Sequence, residues 1–265
     1  MKLRTRIALA ALASALVAPL AGAHERWLLP SSTVLSKGGY ITVDGASSNQ
    51  VFHFNHRPLQ INDSLVISAP DGSAVAAENV HTGKLRSVFD VNLTADGTYR
   101  LAMVSAGVMA SWKEGSETKR WRGTRAELAS KVPADAAELI VREVASRVET
   151  FVTVGSPSEL KSSGEGLELV AVTHPNDLYS GEAATFAFTY DGKPAADMKV
   201  QILPGAMRYR NAQDEIELTT DADGHISVTW PVAGMYYLSA SVSGATDGNV
   251  ERRASYIATL EVLPQ

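Results

Sequence analysis

Cysteine is absent from the 265-residue chain. Thiolate metal sites, cysteine nucleophiles, disulfides and redox chemistry at sulfur are therefore excluded. The sequence also lacks a nucleophile elbow, a phosphate-binding loop and a dinucleotide fingerprint. The six methionines are not clustered, which argues against a Cu(I) thioether site. We therefore expect no organic cofactor, and no catalytic set can be assigned.

A long hydrophobic run occurs only near the start of the chain, at residues 7–17, behind three basic residues. With the small residues Ala-Gly-Ala at 21–23, this run has the form of a cleavable signal peptide, residues 1–23, rather than of a membrane span. A lipid anchor is not expected, because such an anchor needs a cysteine. We therefore expect an exported, soluble, periplasmic protein with no membrane span, whose mature chain begins at His24.

Basic residues are in the minority. The predicted signal peptide contains three of the 24 Lys and Arg residues and none of the 29 Asp and Glu residues, so the mature chain has a net charge near −8. This balance disfavours nucleic acid and anionic membrane surfaces as partners. Metal cations are the ligands that the charge favours.

One pattern of alternating apolar residues and glycine turns occurs twice. In each half a strand-like segment follows a glycine turn, an Asp-Gly turn comes next, and Gly-x-Tyr leads into further alternation. The segments are 37–45, 69–75 and 95–107, and then 180–192, 221–230 and 233–244. Tyr99 and Tyr236 resemble the tyrosine corner of immunoglobulin-like sandwiches. The pattern predicts a mainly all-β fold with two tandem immunoglobulin-like or transthyretin-like β-sandwich domains.

The material between the two repeats differs from both. Residues 124–133 begin with a capping-box pattern and end before a proline, which predicts a short helix between strands of the first sandwich. Residues 139–155 alternate and are interpreted as the last strand of the first domain. The following segment is rich in serine, glycine and charge, which is typical of a linker. The predicted divisions are an N-terminal domain at 24–155, a linker at 156–164 and a C-terminal domain at 165–265.

Six histidines are the only strong donors for transition metals in a chain without cysteine. If cleavage precedes His24, its α-amino group can chelate a metal together with its ring. A second histidine would complete a three-nitrogen set suited to Cu(II) or Ni(II). His53 and His56 face opposite ways on a regular strand, so we expect one of them to join His24, with a preference for His56. The candidate ligands are His24, His53 and His56 for Cu, Ni, Co or Zn, against the alternative that a histidine follows the cleavage site by chance.

Three other features permit two interpretations each. His174, in THPNDL, is interpreted as an exposed loop histidine rather than one oriented by the nearby aspartate. His225 follows two aspartates, but the full calcium-loop spacing is missing, so a hairpin turn is predicted. Residues 111–123 contain two tryptophans in a basic run. They are expected either to stack on a sugar or peptide or to form a solvated loop over the sandwich end.

Several segments together resemble a large bacterial family of exported proteins of unknown function, whose members are often described as periplasmic components of nickel or cobalt uptake. The segments are AHERWLLP, SNQVFHFNHRPL, KRWRG, SRVETFVTVG, HPNDL, GKPAADMKVQILPG, DEIELTTDADG and RRASYIATLEVLP. The resemblance covers nearly the whole mature chain. It highlights His24, Trp27 and His56, and it implies no catalytic residues.

These observations favour a periplasmic binding protein for a divalent transition metal (nickel, cobalt or copper) or its chelate, accessory to uptake through an envelope transporter or receptor. An alternative of another class is an interaction or adhesion module of the cell envelope without a metal. A remote alternative is a copper-dependent oxidative enzyme with an N-terminal histidine brace, although the other motifs of such enzymes are missing.

Overall fold

The computed structural model describes residues 24–245 and 250–265, and the predicted signal peptide lies outside the described residues. These residues form mainly strands. The elements in chain order are β1 (Glu25–Pro30), β2 (Val34–Leu35), β3 (Gly39–Ser48), β4 (Arg57–Pro58), β5 (Leu65–Ser68), β6 (Glu78–Thr82), β7 (Ser87–Leu93), β8 (Gly97–Glu114), β9 (Glu117–Gly123), α1 (Arg125–Lys131), β10 (Ala137–Val154), β11 (Leu167–Ala171), β12 (Ala183–Tyr190), β13 (Lys193–Pro194), β14 (Lys199–Pro204), a 3₁₀ turn (Met207–Tyr209), β15 (Ile216–Thr219), β16 (His225–Thr229), β17 (Gly234–Ala245) and β18 (Val250–Val262).

The strands form three sheets. The first outer sheet has the order β1-β3-β7-β6, with β4 also paired to β3. The central sheet has the order β15-β14-β17-β18-β10-β8-β5, with β2 on β10 and β9 on β8. The second outer sheet has the order β11-β12-β13, with β16 on β12. Within the described residues, β10 runs parallel to β18 and β2, and the other paired strands are antiparallel.

The two hydrophobic cores lie on opposite faces of the central sheet. On β10, Phe151 belongs to the core under the second outer sheet, and Val152 belongs to the core under the first. On β18, Tyr256 belongs to the core under the second outer sheet, and Ile257 belongs to the core under the first. Successive side chains of a strand point to opposite faces, so each outer sheet covers a different face of the central sheet. The predicted mainly β fold with two sandwiches is confirmed, and the structure adds that the sandwiches share one sheet.

The two halves of the chain meet along β10 and β18. Their parallel pairing runs from Val141 opposite Val250 to Thr150 opposite Thr259. The predicted linker at 156–164 is also attached to the first half, since Lys161 accepts a hydrogen bond from the Arg100 side chain at 3.0 Å through its carbonyl oxygen. The central sheet therefore continues across the division predicted from the sequence.

Both predicted tyrosine corners are present. The Tyr99 hydroxyl accepts hydrogen bonds from the backbone N–H groups of Thr94 and Ala95, at 3.0 and 2.7 Å. The Tyr236 hydroxyl donates to the carbonyl of Val232 at 2.8 Å. Both rings are buried, so each hydroxyl obtains a partner from the turn just before its strand.

The predicted helix is confirmed as α1. Thr124 and Glu127 form the capping box: the Thr124 side chain accepts from the Glu127 N–H, and the Glu127 carboxylate accepts from the Thr124 N–H at 2.9 Å. The helix ends at Lys131, shortly before Pro133, which cannot continue a helix.

The structure corrects two local predictions, the solvated-loop alternative for residues 111–123 and the hairpin turn before His225. Residues 111–123 are a hairpin of β8 and β9 rather than a loop, with Gly115 in the turn at φ +62° and both tryptophans half-buried. The turn before His225 exists, but it connects β15 of the central sheet to β16 of the second outer sheet, so it is not a hairpin.

Among the described residues, no helix is long and apolar enough to cross a membrane.

Candidate functional site

His24 and His56 meet at one end of β3. β1 pairs with β3 so that Glu25 lies opposite Ser48, and β4 pairs with the other side of β3 so that Arg57 lies opposite Ser47. Each histidine immediately precedes its strand. The register therefore brings the two imidazoles to the same end of β3, where their ring centroids are 3.8 Å apart and the planes are inclined by 61°.

The two rings have different electrostatic environments. His24 Nδ1 lies 2.5 Å from the Asn49 Oδ1 atom, and an amide oxygen only accepts, so Nδ1 donates this hydrogen bond. Partial desolvation lowers the pKa of His56, and the positive charges of His24 and Arg57 lower it further. His56 therefore stays neutral to a lower pH than an isolated histidine, and the neutral ring is the form that binds metal.

His53 is not part of this pair. Residues 51–56 form turns rather than the regular strand assumed from the sequence, so the alternation argument for VFHFNH does not apply. The His53 backbone N–H donates to the Gln50 carbonyl at 3.2 Å, and its carbonyl accepts from the Asn55 N–H at 3.0 Å. In the described part of the chain, no hydrogen bond or ring contact joins the His53 side chain to His24 or His56.

Aromatic packing positions the turn that carries His56. Trp27 is completely buried, and its ring contacts Phe52 at 5.8 Å and Phe54 at 5.9 Å between centroids. Phe52 has a φ of +58°, an uncommon backbone conformation for a residue with a side chain. Its half-buried ring packs against the core under the first outer sheet, and this packing stabilises the conformation. The sequence offered one signal for this cluster, the three aromatic residues flanking the histidines.

The donor set in the structure fits a metal only in part. The described residues contain no group of three or more His, Cys, Asp or Glu side chains that could hold an ion. Two imidazoles and the Asn49 amide oxygen lie together at the end of β3. Two protein nitrogens are too few for a structural zinc site, which uses four ligands. The α-amino group of a chain beginning at His24 would supply a third nitrogen.

The remaining histidines have structural partners or lie apart. His174 lies in a loop as predicted, but it is half-buried, so the predicted exposure is wrong. Nδ1 accepts from the Asn176 N–H at 3.1 Å, and Nε2 lies 3.0 Å from Thr98 Oγ1. The His225 backbone N–H donates a hydrogen bond to Asp221 Oδ1 at 2.8 Å as part of the turn. His81 is exposed on β6.

Solved structures with some likeness to this chain include the D0-D1 domain of intimin, an Escherichia coli alpha-2-macroglobulin activated by porcine elastase, and dimeric latent PorU from Porphyromonas gingivalis. Their sequence identities are 12%, 14% and 12%, and their TM-scores are 0.22, 0.22 and 0.19. The matches cover 89%, 92% and 89% of this chain, and 97%, 20% and 20% of those chains. Scores this low carry no argument about function.

No match was found among curated proteins. The model of a protein family described as "Domain of unknown function (DUF4198)" matches residues 21–244, which is most of the sequence. The chain therefore belongs to this family.

Proposed function

We propose that this protein binds one divalent transition metal ion through His24 and His56, as a periplasmic binding protein accessory to metal uptake. The observation that supports the proposal is the contact of the two imidazoles at the end of β3, with ring centroids 3.8 Å apart. His53 is not included in the proposed ligand set, since among the described residues no hydrogen bond or ring contact connects its side chain to this pair.

The third donor in the proposal is the α-amino group of His24 after removal of residues 1–23. Its reference pKa is about 7.7–8.0, so a metal ion can displace its proton near neutral pH. The amine and Nδ1 of His24 then chelate together, with Nδ1 exchanging its proton and its Asn49 hydrogen bond for the metal ion. His56 adds a third nitrogen. Three nitrogens in this arrangement suit Cu(II) or Ni(II), while Co(II) and Zn(II) are weaker candidates.

Each part of the protein has a role in this proposal. In the metal-free protein Asn49 holds the His24 ring at the end of β3, and the Trp27 cluster fixes the turn that carries His56. The acidic net charge attracts cations at long range without selecting among them. The second sandwich serves as a spacer or a docking surface for an envelope transporter or receptor.

The test is native mass spectrometry of the mature protein, purified from a periplasmic extract and titrated with Cu(II), Ni(II), Co(II) and Zn(II). We expect a mass that begins at His24 and one tightly bound equivalent of metal. His24→Ala and His56→Ala should each lose that equivalent. His81→Ala is the matched control, because His81 is an exposed histidine on another strand, and it should bind metal as the wild type does.

Acetylation of the α-amino group of His24 removes the amine as a donor and keeps both imidazoles. We expect affinity to fall at least tenfold, which is about 1.4 kcal/mol. Unchanged affinity would show that the amine is not a ligand. Equal binding by the wild type and by the His24 and His56 variants would rule out the site.

A further inference from the structure

A row of three residues crosses the first outer sheet beside the histidine pair. Arg26 on β1 lies directly opposite Ser47 on β3, and Ser47 lies directly opposite Arg57 on β4. Residues directly opposite each other on neighbouring strands point to the same face. The two arginines therefore flank one serine on the face that looks toward the central sheet, where Arg26 donates a hydrogen bond to Ser146 Oγ at 2.8 Å.

A third arginine reaches the same space from the other layer. Arg122 is on β9, which pairs with β8 of the central sheet. Together with Arg26, Ser47 and Arg57 it lines a cavity of about 460 Å³ between the two sheets. The described residues that line this cavity include several hydroxyl and amide side chains but no aspartate or glutamate. A volume of this size is typical of small-molecule sites.

The three arginines of the cavity lack carboxylate partners among the described residues, although Arg26 is half-buried. Within the described ranges, no ion pair joins Arg26, Arg57 or Arg122 to a carboxylate. Burial lowers the pKa of Arg26, and the nearby Tyr237 raises it. The positive charges of Arg57 and Arg122 lower the pKa of Arg26 further, as expected of three positive charges at close range. A guanidinium remains charged nonetheless.

Ser47 provides an independent sign of a missing ligand. The residue is 2% exposed, and its hydroxyl has no hydrogen-bond partner among the described residues. A buried hydroxyl without a partner is costly and uncommon in folded proteins. An oxygen-bearing anion in the cavity would accept from this hydroxyl and from the guanidinium groups on either side.

We propose that the cavity between Arg26, Arg57 and Arg122 is a binding site for a small oxyanion, a carboxylate or a phosphate. Planar guanidinium groups match the geometry of such anions and bind them through paired hydrogen bonds. The site goes beyond the proposed metal binding and does not depend on it. Neither histidine lines the cavity, although Arg26 follows His24 by two residues and Arg57 directly follows His56.

Isothermal titration calorimetry of the metal-free protein at low salt tests this site, with citrate and inorganic phosphate as separate probes. We expect saturable binding of one equivalent of at least one probe. Binding of citrate alone identifies a carboxylate site, and binding of phosphate alone identifies a phosphate site. Arg57→Gln and Arg122→Gln should each weaken the affinity for the bound probe about tenfold, because each removes charge-assisted hydrogen bonds. Both residues are exposed, so the variants should fold normally.

Arg120→Gln is the matched control. Arg120 lies two residues before Arg122 on the same strand, is exposed, and does not line the cavity. It should leave the affinity unchanged. The absence of saturable binding of either probe, or an equal loss with Arg120→Gln, would overturn the proposal. His24→Ala should keep the anion affinity, so failure of the anion site and failure of the metal site give different results.

Discussion

Glu149 is completely buried on β10, at the junction of the two halves. Its carboxylate accepts a hydrogen bond from the Tyr256 hydroxyl at 2.5 Å and lies 3.5 Å from Arg100 and 3.6 Å from Arg147. Glu168 completes the cluster, at 3.9 and 3.4 Å from the same two arginines. Two fully buried carboxylates thus face two largely buried guanidinium groups. Burial raises the pKa of Tyr256, and the charge of Glu149 raises it further, so the hydroxyl remains a donor.

Removal of one charge from this cluster should destabilise the fold. Glu149→Gln leaves two arginines facing Glu168 alone, and we expect the free energy of unfolding to fall by about 3 kcal/mol. Urea denaturation would measure it. Glu117→Gln is the control: Glu117 pairs with Lys119 on the surface, with 71% of its side chain exposed, and should change stability by less than about 1 kcal/mol. Equal effects from the two substitutions would contradict a special role for the buried cluster.

His174 makes stability depend on pH. Burial lowers its pKa, more than the Ser158 hydrogen bond and the Asp177 charge raise it. The folded protein therefore binds this proton less readily than the unfolded chain, whose histidine pKa is about 6.5. Stability is fully present above that value and falls as the pH drops through the folded pKa. We expect His174→Gln to flatten urea-measured stability between about pH 7 and 5, whereas His81→Gln should keep the wild-type slope.

At the scale of single elements, the turn before β16 moves the chain from the central sheet to the second outer sheet. Gly224 occupies it with a φ of +80°, and an added Cβ would lie 2.5 Å from the Phe188 carbonyl oxygen. That oxygen already accepts the Ala195 N–H at 2.9 Å, so it is held in place. Only glycine satisfies both the positive φ and this close approach.

Gly224→Ala should therefore destabilise the protein by more than backbone strain alone would. We expect the free energy of unfolding to fall by about 3 kcal/mol, from the left-handed conformation together with the steric clash. Gly115→Ala is the matched control, since Gly115 has a φ of +62° with open space around it, and it should lose only about 1 kcal/mol. Similar losses in thermal or urea denaturation would show that the Phe188 carbonyl moves away at little cost.

Local chemistry made some elements predictable and left others hidden. The capping box at Thr124, the tyrosine corners and the alternation in β10 depend on neighbouring residues, and all were found from the sequence. The pairing of β10 with β18 joins residues 109 positions apart, such as Val141 and Val250, and periodicity does not encode a partner. The sequence favoured His56 as the partner of His24, but the register of two strands against β3 that brings the rings together could not be inferred from it. The arginine row, which depends on the same registers, was missed.

At the scale of the whole molecule, the shared central sheet ties the two halves together. The core under the first outer sheet includes Leu203, Tyr237 and Ile257, which come from the second half of the chain. Phe151, from the first half, belongs to the other core. Each sandwich thus contains side chains from both halves, and residues 24–265 should unfold in one cooperative transition rather than two.

The predicted division into domains at 24–155 and 165–265 can therefore be tested by expressing residues 24–164 alone. This fragment loses three core side chains of the first sandwich, and it exposes the edge of β10 that pairs with β18 over ten residues. A long unpaired edge strand is a template for aggregation. We expect the fragment to be aggregated or molten by size-exclusion chromatography and near-ultraviolet circular dichroism, while residues 24–265 give a single sharp transition. A monomeric fragment with its own cooperative unfolding would instead establish the first half as an independent domain, and the β10–β18 pairing would then join two units that are each already folded.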